Sequence, residues 1–433
     1  MMWMEYLRDK LAFKWLSTNF KNALLMQPIY GPTNELWGRA SLGNIVNELS
    51  RKGEAVLYLS GGVEEIVEND KLIFAGPPEW IVDNISERLK TYKNFEKSQN
   101  EIKQLIAEWY KKEYGLEIDS PSEVALIPGA AFGVDACIRT MVGPGDDVLI
   151  MDPDYLTYQP QVASMGAKAV RVPLKEKHGE WGFDVQELEK RLNPLSKLLI
   201  MSNSNNPSGF LYTTEDLEGI AQLAKKYDFI VLHDQVTEEF VFDKDEGYEL
   251  NCLASLPGMK ERTVVVSSFS KMYNVVFWRA GWVVANSNIC ENILRVMWWA
   301  TDGPVTPGIE AALAILKEDN RKEREKYVSQ KLRELKRRRD HMKKRLKEME
   351  GVIPNTPRAH YWAWPNVSSF NTPSQELAKY LLKEAKLYVR PGTWYGLNGE
   401  GHFRLSFDVP FDYMNKALDR MEDGLSKLAQ KQS

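Results

Sequence analysis

The sequence predicts an α/β protein: a three-layer α/β/α large domain built on a mostly parallel sheet, plus a smaller α/β domain formed by N- and C-terminal segments. Three observations carry this. From Ala125 onward, short apolar runs alternate with amphipathic segments, which is the pattern of βαβ units covered by helices on both faces. The runs Val148-Leu149-Ile150-Met151, Leu198-Leu199-Ile200-Met201 and Phe229-Ile230-Val231-Leu232 each end in a cluster of polar or turn-forming residues, as buried strands of such a sheet do. A densely charged stretch at 317–350, with Val328, Leu332, Leu335, Met342, Leu346 and Met349 at helical spacing, links the large unit to a smaller one. The expected division is 1–75 as an N-terminal arm and part of the small domain, 76–318 as the large domain, and 319–433 as the C-terminal small domain.

Composition narrows the functional classes. With 433 residues, 43% apolar and 27% charged, the chain has the make-up of an ordinary globular protein. A net charge of -4 leaves no basic footprint for nucleic acid, and the run Lys336-Arg337-Arg338-Arg339 is interleaved with helical core positions, as a solvated face is. Cys137, Cys252 and Cys290 lack metal or disulfide spacing and suit a reducing, cytoplasmic setting. No targeting signal and no apolar window long enough for a membrane span are apparent.

Taken in order, residues 1–55 hold an apolar-rich segment and a loop at 27–34 rich in Gly, Pro and Asn. A strand from Val56 ends in the flexible pair Gly61-Gly62. Ile102, Leu105, Ile106 and Trp109 share one helix face. Gly129-Ala130-Ala131 is a small-residue turn opening a helix, where the amides of Ala130 and Ala131 can meet an anion. The strand at 148–151 runs into Asp152-Pro153-Asp154-Tyr155, and that at 198–201 into Asn205-Asn206-Pro207-Ser208-Gly209. Thr213 and Asp216 spell a capping box for a helix whose core face is Leu217, Ile220, Ala221 and Ala224. The third strand ends at His233-Asp234, with His233 read as structural; no second ligand at metal spacing accompanies it.

The segment Val264-Val265-Val266-Ser267-Ser268-Phe269-Ser270-Lys271 is the one around which the rest is arranged. A β-branched run breaking into small hydroxyls places Lys271 at a strand's end, where open α/β sheets bind ligands. Desolvation there disfavours the ammonium and makes the neutral amine available for a Schiff base. Eight residues on, Arg279 can join Ser268 in gripping a phosphate. A last strand, Phe403-Arg404-Leu405-Ser406-Phe407, carries an arginine among apolar residues, a costly placement without a ligand or partner.

Ser268-Phe269-Ser270-Lys271 with Arg279, preceded in order by Asn206-Pro207-Ser208-Gly209 and Asp234, resembles the cofactor-lysine signature of fold-type I pyridoxal-phosphate enzymes, specifically class I/II aminotransferases. The resemblance spans roughly 55–430. It implies pyridoxal 5'-phosphate bound as an imine to Lys271, which is also the general base and acid. Ala130, Ala131, Ser268 and Arg279 would hold the phosphate, Tyr155 would stack on the ring, Asn206 would donate to the 3'-oxygen, and Asp234 would keep the ring nitrogen protonated. Arg404, with Asn206 and backbone at Gly61, would bind the substrate. Tyr92 matches a tyrosine that reaches the partner subunit's phosphate. The implied activity is amino transfer between an L-α-amino acid and a 2-oxo acid in a homodimer with shared active sites, with no role for nucleic acid or membrane. Trp298-Trp299, in a loop entering the neighbouring site, point to an aromatic or apolar substrate side chain.

Two positions depart from the pattern. Thr237 stands where relatives carry a tyrosine bonded to the 3'-oxygen, which implies a raised imine pKa. Pro357-Arg358-Ala359-His360-Tyr361-Trp362 replaces a glycine pair. These leave open a lyase, cyclase or oxidase on the same cofactor. A cofactor-sensing transcription regulator is disfavoured, because the ~50 residues before Val56 are too few for a DNA-binding domain and linker.

Overall fold

In this computed structural model, residues 17–19, 38–62, 64–68, 71–90 and 95–432 are described. Most of the expected N-terminal arm, its loop at 27–34, and Tyr92 lie outside them. Within the described residues, α1 (Gly38–Arg51) is followed by the short strand β1 (Leu57–Tyr58) and a hairpin of β2 (Glu65–Glu68) and β3 (Lys71–Phe74). Two helices follow, α2 (Glu79–Leu89) and α3 (Phe95–Tyr114); the helical face expected at 102–109 lies on the second.

Next come β4 (Val124–Pro128), α4 (Ala130–Met141), β5 (Asp147–Asp152), α5 (Tyr158–Ser164), β6 (Lys168–Pro173), β7 (Ser196–Ser202), α6 (Thr214–Tyr227), β8 (Ile230–Asp234), β9 (Thr263–Ser268) and β10 (Ala280–Val284). These seven strands form one sheet in the order β4-β10-β9-β8-β7-β5-β6. Only β10 runs against its neighbours, β9 and β4. The sheet is therefore mostly parallel, as expected.

Because both sheet faces are covered, successive side chains of one strand enter different cores. Leu198 and Ile200 pack with Val134, Cys137 and Ile138 of α4, whereas Leu199 and Met201 pack with Leu217, Ile220 and Ala224 of α6. All four strand residues are fully buried. Each such side chain contributes about 1.5–3 kcal/mol on leaving water, so the runs are apolar throughout instead of alternating. The capping box of α6 is present: Thr213 Oγ1 accepts from the Asp216 amide at 3.1 Å, and Asp216 Oδ2 accepts from the Thr213 amide at 2.9 Å.

Beyond the sheet lie α7 (Ser287–Thr301), α8 (Thr306–Leu316), α9 (Arg321–Glu348), β11 (Trp362–Ala363), α10 (Ser374–Glu384), β12 (Leu387–Tyr388), β13 (Arg390–Pro391), β14 (Phe403–Ser406) and α11 (Phe411–Gln432). The charged stretch is thus a single long helix after a short turn. Its basic run is engaged in ion pairs: Lys336 and Arg339 with Asp243, each at 2.5 Å, and Arg337 and Arg338 with Glu334 at 2.9 and 2.8 Å. A second sheet has the order β11-β14-β13, and β12 pairs in parallel with β1, so early and late segments of the chain join. Trp298 and Trp299 sit on the last turn of α7 rather than in a loop, 57% and 80% exposed. No helix among the described residues is long and apolar enough to cross a membrane.

Helix α8 braces the turn that carries Arg279. A Cβ on Gly308 would lie 2.5 Å from the Trp278 carbonyl oxygen and 2.7 Å from that of Arg279. Backbone cannot rotate out of the way as a side chain can. Gly308→Ala is therefore expected to destabilise the fold by about 1–3 kcal/mol, read as a lower urea midpoint with an unchanged slope.

Candidate active site

The strand order brings the carboxyl ends of β4, β5, β7, β8 and β9 to one edge of the sheet, where the residues that follow them line a cavity of about 210 Å³. Ala130, Ala131, Tyr155, Asn206, Asp234, Ser268, Lys271, Arg279 and Arg404, all singled out from the sequence, line it. Gly61 does not; its neighbour Gly62 does.

At one end, α4 begins at Ala130 behind Gly129, whose φ of +82° favours glycine. The Arg279 guanidinium lies against it: a Cβ on Gly129 would fall 2.1 Å from Arg279 Nη2. Gly281 allows the same approach from behind, since its Cβ would come within 2.8 Å of the Gly129 Cα. Arg279 is held by its own Nη1 donating to the Val276 carbonyl at 2.9 Å. Burial lowers its pKa. Ser268 Oγ accepts from the Ser270 amide at 3.3 Å, while the Ser270 hydroxyl, 4% exposed, has no hydrogen-bond partner among the described residues. A helix start, a guanidinium and two hydroxyls form a cradle for a tetrahedral anion.

In the middle, Asp234 ends β8. Its Oδ2 accepts from the Tyr158 hydroxyl at 2.7 Å and its Oδ1 from the Val236 amide at 3.0 Å. Burial raises its pKa, opposed by these two bonds and by Lys271. A second carboxylate, Asp154, is completely buried and braces the loops around it. It accepts from the Tyr155 amide at 2.7 Å and from the hydroxyl of Ser202, which in turn accepts from the Asn206 amide at 3.0 Å. Burial pushes Asp154 up to about 8.

At the other end, Arg404 is 1% exposed. Its Nη1 donates to Asn206 Oδ1 at 3.1 Å, and its guanidinium lies 4.3 Å above the Trp362 ring and 5.0 Å from that of Tyr395. Stacking and one hydrogen bond fix its plane. Lys271 Nζ donates to the Gly62 carbonyl at 2.7 Å.

Both departures from the expected pattern have structural partners. Thr237 Oγ1 and Ser204 Oγ, both on the cavity wall, are hydrogen bonded at 3.0 Å. His360 is fully buried, with φ +56°. Its Nε2 donates to the Asn205 carbonyl at 3.1 Å and its Nδ1 accepts from the Trp362 amide at 3.0 Å, an assignment that fixes the neutral tautomer. Burial drives its pKa down to about 3, so it braces the turn beside Asn206 as a neutral ring. His233 is likewise buried, and burial lowers its pKa to about 3. Among the described residues there is no group of three metal-ligating side chains.

Sequence reasoning missed Ser270, Tyr158, Asp154, Ser202, Ser204, Tyr361 and Trp362. Ser270 had a signal, being a second hydroxyl directly before the lysine. The others depend on contacts between distant segments. Pyridoxal 5'-phosphate fits what is present: the Gly129 cradle with the partnerless Ser270 hydroxyl suits a phosphate, and Asp234 at the cavity's centre suits a ring N–H.

Residues 69–421 match the sequence model of the family described as aminotransferase class I and II. The chain is 34% identical over 327 residues to the aromatic-amino-acid aminotransferase 2 of Thermococcus litoralis, covering 76% of this chain and 82% of that one. It is 35% identical over 322 residues to an aspartate aminotransferase of Pyrococcus abyssi, covering 74% and 81%. The crystal structure of an aromatic aminotransferase from Pyrococcus horikoshii OT3 superposes with a TM-score of 0.77 at 30% identity, over 89% of this chain and 99% of that one.

Two outcomes are expected. Gly129→Ala, which sets a methyl group against Arg279, weakens cofactor binding by ~10-fold or more in a spectroscopic titration. Asp154, raised by burial from 3.8 to about 8, keeps a proton in the folded chain that the unfolded chain has lost. Its contribution to stability is complete below pH 3.8 and fades as pH rises through about 8. Between those values the urea midpoint of the wild type should fall more steeply than that of Asp154→Asn; parallel curves would contradict the assignment.

Proposed function

The chain belongs to the class I and II aminotransferases and is a pyridoxal-phosphate-dependent transferase; from that premise we propose that it moves the amino group of an L-α-amino acid with an aromatic or apolar side chain to a 2-oxo acid, using Lys271. The observation that carries this reading is the convergence of Lys271, Asp234, Arg279 and Arg404 on one cavity.

Pyridoxal 5'-phosphate, when bound, supplies an electrophilic carbon and a protonated ring that takes up the electron pair left at the substrate's Cα. Arg279, Ser268, Ser270 and the first amides of α4 would hold its phosphate. Asp234, kept in place by Tyr158 and the Val236 amide, would hold the proton on the ring nitrogen. Arg404 binds the substrate carboxylate through its guanidinium fork, with its plane set by Trp362 and Asn206. Lys271 Nζ, resting on the Gly62 carbonyl of the cavity wall, would take the proton from the substrate's Cα and return it to the carbon that the cofactor supplies. Water supplies the carbonyl oxygen of the departing 2-oxo acid while the amino group is retained at the site, and a second 2-oxo acid takes up that group by the reverse course, returning the water. Ser204 and Thr237 supply hydroxyls on the wall beside Asn206, where the family's tyrosine is missing.

Val236, Val276 and Trp362 line the remaining wall, and the cationic lining residues are Lys271, Arg279 and Arg404. With each of these assigned, no lining cation among the described residues is left for a carboxylate on the side chain, which supports an apolar or aromatic substrate over an acidic one. The exposed Trp298 and Trp299 do not line this chain's own cavity. They support a homodimer instead, since exposed indoles are common at interfaces. In that arrangement, 76–318 acts as the large cofactor domain, the flanking segments form the small one, and Tyr92 reaches the other subunit's site.

The test is single-turnover amino transfer from individual amino acids in the absence of an oxo acid. One equivalent of 2-oxo acid per subunit is expected, with kcat/KM for phenylalanine or leucine exceeding that for aspartate, and with Lys271→Ala inactive. Release of ammonia in place of the oxo acid would overturn amino transfer, and a preference for aspartate would overturn the substrate class.

A further inference from the structure

The carbonyl that anchors Lys271 has a second donor. Tyr361 Oη lies 2.7 Å from the Gly62 carbonyl oxygen, the same distance as Lys271 Nζ. Tyr361 is fully buried, its ring 5.2 Å from Phe240 and 4.5 Å from Trp362. Next to it, Trp362 Nε1 donates to the Gly61 carbonyl at 3.0 Å. Two consecutive aromatic side chains thus grip two consecutive carbonyls. Their own backbone is tied to the strand of Arg404, with Trp362 paired to Ser406 and the Phe407 amide donating to the Tyr361 carbonyl at 3.0 Å.

We propose that Tyr361 is a positioning residue for Lys271: its hydroxyl shares the Gly62 carbonyl with the lysine amine, fixing where the amine rests and limiting how strongly that carbonyl can stabilise the ammonium. The inference rests on the role of Lys271 proposed above. A carbonyl oxygen has two acceptor sites, and a donor on one withdraws electron density from the other. With Tyr361 in place, the ammonium of Lys271 gains less from Gly62 than it would from a carbonyl with no other donor. The base form that must take a Cα proton is correspondingly more accessible. Other groups facing the amine set its baseline: the Asp234 carboxylate favours the ammonium, the Arg279 and Arg404 guanidinium groups oppose it, and the phenols Tyr155 and Tyr158 also line the cavity.

The test uses the full chain freed of cofactor. Lys271 is acetylated briefly across a pH series and its labelling followed by mass spectrometry, giving the titration midpoint of the amine. Tyr361→Phe, which keeps the ring, should raise that midpoint by about one pH unit, the size expected for losing one hydrogen bond's influence. Placing 3-fluorotyrosine at 361 makes a stronger donor and should lower it, so this arm decides if Tyr361→Phe does not fold. In the loaded enzyme, Tyr361→Phe should shift the acidic limb of kcat to higher pH with KM for the amino acid unchanged, since Arg404 still holds the carboxylate. An unmoved midpoint, or one that moves down in Tyr361→Phe, overturns the proposal. Because labelling needs no catalysis, a Tyr361-dependent midpoint in a chain that fails to transfer amino groups would sink the functional reading and leave this one standing.

Discussion

Charge gathered in one cleft is the constraint on which the rest of the structure depends. Among the described residues Lys271, Arg279 and Arg404 line one cavity with Asp234 as the lining carboxylate, and gathering like charges there is costly without counter-charge. The cavity therefore has a cationic surplus at its two ends and an anion at its centre. A ligand carrying a phosphate, a protonated ring and a carboxylate neutralises that pattern point for point. Asp154, which burial keeps protonated up to about pH 8, adds a hydrogen-bonding hub without adding a second negative charge at neutral pH.

The scaffold holds these groups by close backbone contact more than by strong bonds. Gly129 at the start of α4 meets the Arg279 guanidinium, Gly281 of the return strand β10 meets the Gly129 backbone, and Gly308 at the start of α8 meets the Trp278 and Arg279 carbonyls, each at a distance no Cβ would permit. Arg404 is fixed by ring stacking, and Asn206 by the Asp154–Ser202 link. Main chain is stiff on the scale of these contacts, so small shifts in α8 or β10 would reach the Arg279 end of the cavity directly.

The two sequence departures read differently once the packing is known. Thr237 is paired with Ser204, which leaves hydroxyls on the wall that lost a tyrosine. The stretch Ala359-His360-Tyr361-Trp362 is a buckle: His360 braces Asn205, Tyr361 and Trp362 hold Gly62 and Gly61, and Trp362 also supports Arg404. Glycines there could do none of this. The buckle thereby links the carbonyl that anchors Lys271 to the ring that supports Arg404.

By itself the sequence determined the fold class and picked out the charged residues that line the cavity. Both are local properties: an apolar run of strand length followed by turn residues marks a strand end, and the order Asn206, Asp234, Lys271, Arg279 survives as a linear pattern. The tertiary structure alone decided which residues support them. No sequence pattern singles out Asp154 or Tyr158, and Tyr361 lies in the stretch that departs from the expected glycine pair; each acquires its role from a partner between 48 and 299 positions away. The indoles of Trp298 and Trp299 show the same limit from the other side, for a sequence pattern cannot tell a side chain that lines its own cavity from one that points outward from a helix end. Contacts of long separation depend on how strands are ordered in a sheet, and that order is a property of the whole chain packing at once.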